Sequence, residues 1–152
     1  MSTQTTGKFT PTGWDESVVE DIDGEGETRN GTYYPQRGIT TATVTYAYTG
    51  EVEGQGVVTY LFAYRDSKAG HADITGFERF TGTIDGHEGS CVLRHSGTYA
   101  DGAVTATVEV LPGLGTDDLT GLTGSAELSM AGAPPEGGFD LTLTYDLQDS
   151  TP

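Results

Sequence analysis

The chain has 152 residues, enough for one domain with a core that needs neither disulfides nor a metal. Its 23 acidic residues against seven Lys and Arg give a formal charge of −16, which disfavours nucleic acids and anionic membranes as partners. It has no secretory leader pattern and no apolar run of the roughly 18 residues that a spanning helix needs, and its single Cys91 cannot form an internal disulfide. We therefore expect a cytoplasmic protein.

The glycines indicate the fold class. There are 23 of them, and they separate short segments rich in Thr, Val and Tyr. No stretch keeps a helical periodicity over a full helix length. The sequence therefore predicts an all-β barrel or sandwich.

The N-terminal quarter is the least regular part of the chain. We expect residues 1–6 to fray, and residues 7–14 to form a first strand in which Pro11 requires an edge or a bulge. Residues 15–38 run from acidic to aromatic and are predicted to form a long loop, either flexible or acting as a lid. Tyr33 and Tyr34 favour the lid, since they offer contact surface for a ligand.

Two strands follow. Residues 39–49 alternate apolar side chains with threonines, so one face is predicted to point inward and the other to solvent. Residues 52–64 are ambiguous, because a two-residue turn would direct the odd-numbered side chains inward. Aromatic bulk favours the even-numbered set, and a bulge at Gly54 or Gly56 would permit it. We expect the even set inside, namely Tyr60, Phe62 and Tyr64.

A predicted hairpin over residues 76–97 contains the pair of residues that most strongly indicates a chemical role. Its centre, Asp85-Gly86, is typical of a type I′ turn. A two-residue loop sets Glu78 opposite Leu93, and a four-residue loop sets it opposite His95. Both registers leave Glu78 and His95 on the same face, near enough to touch.

The remaining alternations predict three more strands, at residues 104–110, 122–130 and 139–147, for a total of eight. A turn at Asp101-Gly102 would set His95 opposite Val108, on an inward face. Prolines and glycines in residues 132–138 are expected to break the ladder. Eight antiparallel strands in a meander predict a single closed barrel over residues 1–152, wide enough inside for side chains or one small ligand.

Three segments carry a resemblance to a known family: GFERFTGTIDGHEGSCVLRHSGTY, PGLGTDDLTGLTG and LTLTYDL. They are similar to a bacterial family catalogued as domain of unknown function 3224, over almost the whole chain. The resemblance implies a barrel like that of plant allene oxide cyclases and dirigent proteins, which bind hydrophobic or reactive small molecules and guide a cyclisation or coupling. It also implies possible self-association, since the plant cyclases are trimers. No activity of the bacterial family itself carries over.

This chain departs from the family pattern at several places. Residues 28–38 resemble an insertion, and Leu114 replaces the usual serine of the PGSGT-type loop. Cys91 and Arg94 stand where Phe and Gln are common. The insertion favours a specialised ligand for this member.

Glu78, His95 and Tyr60 are the candidate catalytic residues. A buried carboxylate must be paired, hydrogen-bonded or protonated, so Glu78 requires partners. One interpretation is an acid or base that moves a proton on a bound substrate. The other is a structural buried pair with His95 or Tyr60.

The candidate ligand-binding residues are aromatic. They would line a lumen in which buried tyrosine hydroxyls need polar partners, water or a ligand. These residues are Trp14, Tyr33, Tyr34, Tyr46, Phe62, Tyr64, Phe80 and Tyr145.

No cofactor is predicted. The three histidines and one cysteine show no metal-ligand spacing, and the glycine-rich PGLGTDDLTGLTG lacks the Lys-Ser/Thr ending of a phosphate loop. We carry three hypotheses: a cofactor-free isomerase or cyclase acting on a largely apolar, reactive substrate, a non-catalytic binding or sequestering protein, and a filled barrel acting through its surface.

Overall fold

The computed structural model describes residues 2–101, 103–131 and 137–147. Ten strands lie in these ranges, and a short 3-10 turn spans Asp117–Leu119. The strands are β1 (Thr3–Asp21), β2 (Glu27–Arg29), β3 (Thr32–Tyr34), β4 (Gly38–Gly50), β5 (Val52–Asp66), β6 (His71–Ile84), β7 (His87–Ala100), β8 (Ala103–Val110), β9 (Leu122–Ala131) and β10 (Phe139–Leu147).

Eight of the strands close a barrel in the order β1-β10-β9-β8-β7-β6-β5-β4, and every neighbouring pair is antiparallel. This confirms the predicted fold class. Strands β2 and β3 form a separate small hairpin. Among the described residues, no helix is long and apolar enough to cross a membrane.

The alternation of side chains is as predicted on β4, β8, β9 and β10. On β5 the even-numbered set points inward, with Tyr60 and Phe62 buried and Leu61 exposed. The cause lies in the β4–β5 connection, where Tyr48 pairs with Gly54 instead of with Glu53. A two-residue turn would have given the other parity. The chain reverses through Gly50, whose φ of +99° suits a residue without Cβ.

The β6–β7 turn is the two-residue form. Asp85 and Gly86 both have positive φ, at 50° and 83°, as a type I′ turn requires. Glu78 therefore pairs with Leu93. The next pairing also follows the predicted register, with His95 opposite Val108. In the β7–β8 turn, Gly102 lies outside the described residues, as do residues 132–136 of the expected break.

Strand β1 is longer than predicted at both ends. The expectation of fraying is wrong from Thr3 onward, because that segment pairs with β10. The expected loop is also wrong for residues 15–21, which continue β1 along β4. Register shifts at Pro11/Gly13 and Val18/Glu20 are the bulges that admit a proline and bend the strand. Beyond Phe9, the described part of β1 pairs with β4 alone.

Candidate functional site

The lumen widens toward the end of the barrel that carries residues 67–70 and Asp101, here called the upper end. An inner chamber of about 350 Å³ and an outer chamber of about 500 Å³ lie there. The two chambers are adjacent, because five residues line both of them: Trp14, Phe62, Ile74, Tyr99 and Val104. The inner chamber alone has the volume of about a dozen water molecules, within the range of small-ligand pockets.

Glu78 and His95 are in contact below the inner chamber, as the shared face predicted. Glu78 is fully buried and His95 is 2% exposed. His95 Nε2 lies 2.6 Å from Glu78 Oε1, and the Tyr48 hydroxyl donates to Glu78 Oε2. The buried carboxylate therefore has a partner on each oxygen.

The network continues upward from His95. Its Nδ1 lies 3.4 Å from the Tyr60 hydroxyl, which in turn lies 2.9 Å from the Tyr46 hydroxyl. When Glu78 is ionised it only accepts, so Nε2 of His95 then carries the proton and Nδ1 accepts from Tyr60. The hydrogen bonds then run from Tyr46 through Tyr60 and His95 to Glu78.

A glycine makes room for the buried carboxylate. A Cβ on Gly56 would lie 1.8 Å from Glu78 Oε2, so the Glu78 side chain occupies the place that any other residue at 56 would fill. Gly56 pairs with Phe80 across β5 and β6, and it occupies an inward-facing position of β5. A glycine facing a buried acid was a signal in the sequence that the parity argument did not use.

The tyrosines of the network are held neutral. Burial, opposed in part by the hydrogen bond with Tyr60, raises the pKa of Tyr46 to about 12. Burial also raises the pKa of Tyr60 and of Tyr48 well above the ordinary phenol value, and the Glu78 carboxylate adds to both shifts. At neutral pH these hydroxyls are hydrogen-bond donors, not phenolates.

The inner chamber reaches part of this network. Its wall includes Tyr46, Tyr60 and His95, whereas Glu78 lines only a narrow space of about 30 Å³ below, room for a single water. Phe80 lines that same narrow space. A bound molecule would thus meet the hydroxyls and the imidazole, and Glu78 would act on it through His95.

Trp14 lines both chambers and is half-exposed. Its ring stacks on Phe62 with centroids 5.8 Å apart, and its Nε1 donates to Glu16 Oε1 over 3.0 Å. Glu16 Oε2 accepts from Thr40 over 2.5 Å and from Tyr64 over 2.7 Å. The sequence analysis missed Glu16 because its acidic surroundings indicated a solvated loop, yet it is only 8% exposed.

The two tyrosines of the expected lid have different positions. Tyr34 lines the outer chamber, edge-on to Tyr64 with centroids 6.4 Å apart. Tyr33 instead donates to Asp21 over 2.6 Å and accepts from the backbone N–H of Gly26. Tyr33 therefore braces the connection between β1 and β2, and whether this segment moves stays a prediction.

Tyr145 lies away from the chambers, at the lower end of the barrel. Its hydroxyl donates over 2.6 Å to Asp85 of the β6–β7 turn, which also accepts from Thr5. The alternation of side chains predicted correctly that Tyr145 points inward. It could not show how far along the barrel axis Tyr145 lies, which depends on its position late in β10. Of the predicted residues, the structure brings eight to the two chambers or the network below: Trp14, Tyr34, Tyr46, Tyr60, Phe62, Tyr64, His95 and Glu78.

Comparison with known proteins gives a family and a fold. The profile of a family described as protein of unknown function (DUF3224) matches residues 5–145. A crystal structure of a DUF3224 protein of unknown function from Shewanella oneidensis MR-1, at 1.84 Å resolution, is 23% identical in sequence and superposes with a TM-score of 0.68. The match covers 98% of this chain and 100% of that one. A search of curated proteins gave no match. The expected likeness to allene oxide cyclases stays a prediction.

Proposed function

The chain belongs to the DUF3224 family of proteins of unknown function, and we propose that its barrel binds a small, largely apolar molecule in the inner chamber. The observation that carries this proposal is a chamber of about 350 Å³ whose apolar wall ends on two tyrosine hydroxyls. Apolar pockets with a few convergent polar groups are the usual form of a small-molecule site.

The two hydroxyls suggest which polar group the ligand carries. Each hydroxyl has one proton: Tyr60 donates its proton to His95, and Tyr46 donates its proton to Tyr60. Tyr46 is at the end of this chain of bonds, so a carbonyl or ether oxygen of the ligand would accept the Tyr46 proton in place of the Tyr60 oxygen. The ligand is therefore an apolar molecule with at least one acceptor oxygen at its inner end.

Prodan, an uncharged naphthyl ketone whose emission responds to polarity, is a suitable probe. We expect it to bind with a blue-shifted emission, and Ala106→Phe to abolish this binding because Ala106 lines the chamber. Ala63→Phe is the matched control, since Ala63 is exposed on the outer face of β5. Equal binding by both variants would refute the chamber as the site, and native mass spectrometry of the purified protein would show what natural molecule occupies it.

A second candidate function, proton transfer on the bound molecule, is favoured by the continuous network from Tyr60 to Glu78. His95, paired with Glu78, would be a base at the chamber wall, and the tyrosine hydroxyls would stabilise negative charge developing on a ligand oxygen. Such a barrel would be a cofactor-independent isomerase or cyclase. Holding the substrate in one conformation would supply part of the rate.

The conversion of 3-cyclohexen-1-one to its conjugated isomer tests this second function, since it removes one proton and adds another to a small apolar ketone. We expect the wild type to accelerate it, and Glu78→Gln and His95→Ala to abolish the acceleration while prodan still binds. If both variants are as fast as the wild type, the catalytic assignment is wrong and the binding proposal alone remains.

A further inference from the structure

The outer chamber differs from the inner one in its charge. Arg29 and Lys68 line it, and they are two of only seven Lys and Arg in a chain of charge −16. No other Lys or Arg lines either chamber. Arg29 and Lys68 therefore lie together in the outer chamber.

Lys68 has no ion-pair partner among the described residues. In contrast, Lys8, Arg37, Arg65 and Arg94 each pair with a carboxylate away from the chambers. The Lys68 backbone N–H donates to Gln36 over 3.1 Å, which fixes the main chain and leaves the ammonium available.

Arg29 is held over the chamber by its neighbours. Its guanidinium carbon lies 5.2 Å above the centre of the Tyr34 ring, and Nη2 donates to the Ser67 hydroxyl over 3.1 Å. Arg29 is also ion-paired with Glu27: its Nε donates to Oε1 over 3.1 Å, and its Nη2 lies 3.0 Å from the same oxygen. A guanidinium has five N–H donors, so donors remain for a further acceptor.

Of the two carboxylates that line the outer chamber, Glu16 is already engaged, because it accepts from three side chains, one of them the Trp14 indole. The other, Asp101, is exposed to solvent and lies 3.8 Å from His71 Nε2. Glu16 is also buried, so its oxygens are not turned to the chamber as free acceptors for a cationic ligand. Lys68 and the remaining N–H groups of Arg29 therefore have capacity for an anionic partner, and Glu16 does not compete for them.

We infer that the ligand is amphipathic, with a flat apolar body in the inner chamber and an anionic group, such as a carboxylate or sulfonate, in the outer chamber on Arg29 and Lys68. The inference rests on the proposed binding function and adds the chemical class of the ligand. The stacked rings of Trp14, Phe62 and Tyr60 line the inner chamber and supply apolar contact for this body.

Two fluorescent probes that differ only in an anionic group test the inference. They are N-phenyl-1-naphthylamine, which is uncharged, and 1-anilinonaphthalene-8-sulfonate, which adds a sulfonate. The double variant Arg29→Gln/Lys68→Gln should weaken binding of the sulfonate about tenfold or more, since a charge-assisted hydrogen bond contributes at least that much. Binding of the uncharged probe should change less than about twofold, as expected when no charged contact is lost.

The matched control is Lys8→Gln/Arg65→Gln, which makes the same change in net charge at exposed pairs outside both chambers. It should leave the ratio of the two affinities unchanged. If both double variants shift the ratio alike, net charge explains the effect and the inference is wrong. A third result would contradict the anionic subsite alone. In that case the uncharged probe binds and Ala106→Phe blocks it, but the affinity for the sulfonate probe is unchanged in Arg29→Gln/Lys68→Gln. If neither probe binds, the proposed function is contradicted as well.

Discussion

Replacing Gly56 by alanine should destabilise the barrel strongly, and only through Glu78. The added Cβ would lie 1.8 Å from Glu78 Oε2, so the carboxylate must leave its place. It then loses the Tyr48 hydroxyl, His95 Nε2 or both, inside a site with no exposure to water. Breaking a buried pair in this way costs about 3–5 kcal/mol of unfolding free energy. That is a large share of the roughly 5–15 kcal/mol that holds a domain folded.

A double-mutant cycle separates this mechanism from a general effect of alanine on the strand. The three atoms nearest to the added Cβ are Oε2, Cδ and Cγ of Glu78, and all are absent in Glu78→Ala. In that background we expect Gly56→Ala to change the unfolding free energy by less than about 1 kcal/mol. The coupling should therefore exceed about 2 kcal/mol, measured by urea denaturation of the four proteins. Additivity within about 0.5 kcal/mol would refute the assigned contact.

Three further measurements test separate parts of the structure. Glu16→Ala should shift the emission of Trp14, the only tryptophan, to the red and increase its quenching by acrylamide, whereas unchanged emission would mean that Glu16 does not hold the indole. Burial raises the pKa of Tyr46 to about 12, so the folded state keeps a proton that the unfolded state loses above pH 10. From pH 10 to 12 the unfolding free energy of the wild type should therefore fall more steeply than that of Tyr46→Phe, by up to about 1.4 kcal/mol per pH unit. Urea series of wild type and Tyr46→Phe measure this loss, and identical slopes would contradict it. Burial raises the pKa of the Cys91 thiol to about 12, so the folded protein should not react with Ellman's reagent at pH 8 until denaturant unfolds it, and rapid labelling would contradict the burial.

Much of the barrel could be predicted because alternation has a period of two. Where one face is apolar and the other is threonine, as on β4, a single residue of slippage would expose the core, so strand and orientation follow together. The contact between Glu78 and His95 was predictable for the same reason, since both loop lengths kept them on one face. Strand β5 needed the turn geometry as well, because both of its faces carry apolar residues.

The parts that the sequence did not predict depend on irregular backbone or on height along the barrel. The bulges of β1 reset its parity, so Glu16 turns inward despite acidic neighbours that favour solvent. Tyr48 lies on the apolar face predicted for residues 39–49, but its bond to Glu78 depends on the offset between strands along the barrel axis, which alternation alone does not give. Tyr145 shares the inward parity of Tyr46 and Tyr60 but lies near the opposite end of the barrel.

A crystal structure of the protein with prodan bound tests the central claim most directly. The account predicts the naphthalene ring in the inner chamber, below Trp14 and beside Phe62, with the ketone oxygen within hydrogen-bond distance of the Tyr60 or Tyr46 hydroxyl. A probe bound only on the outer face of the barrel, or a lumen closed by the side chains of its own wall, would contradict it.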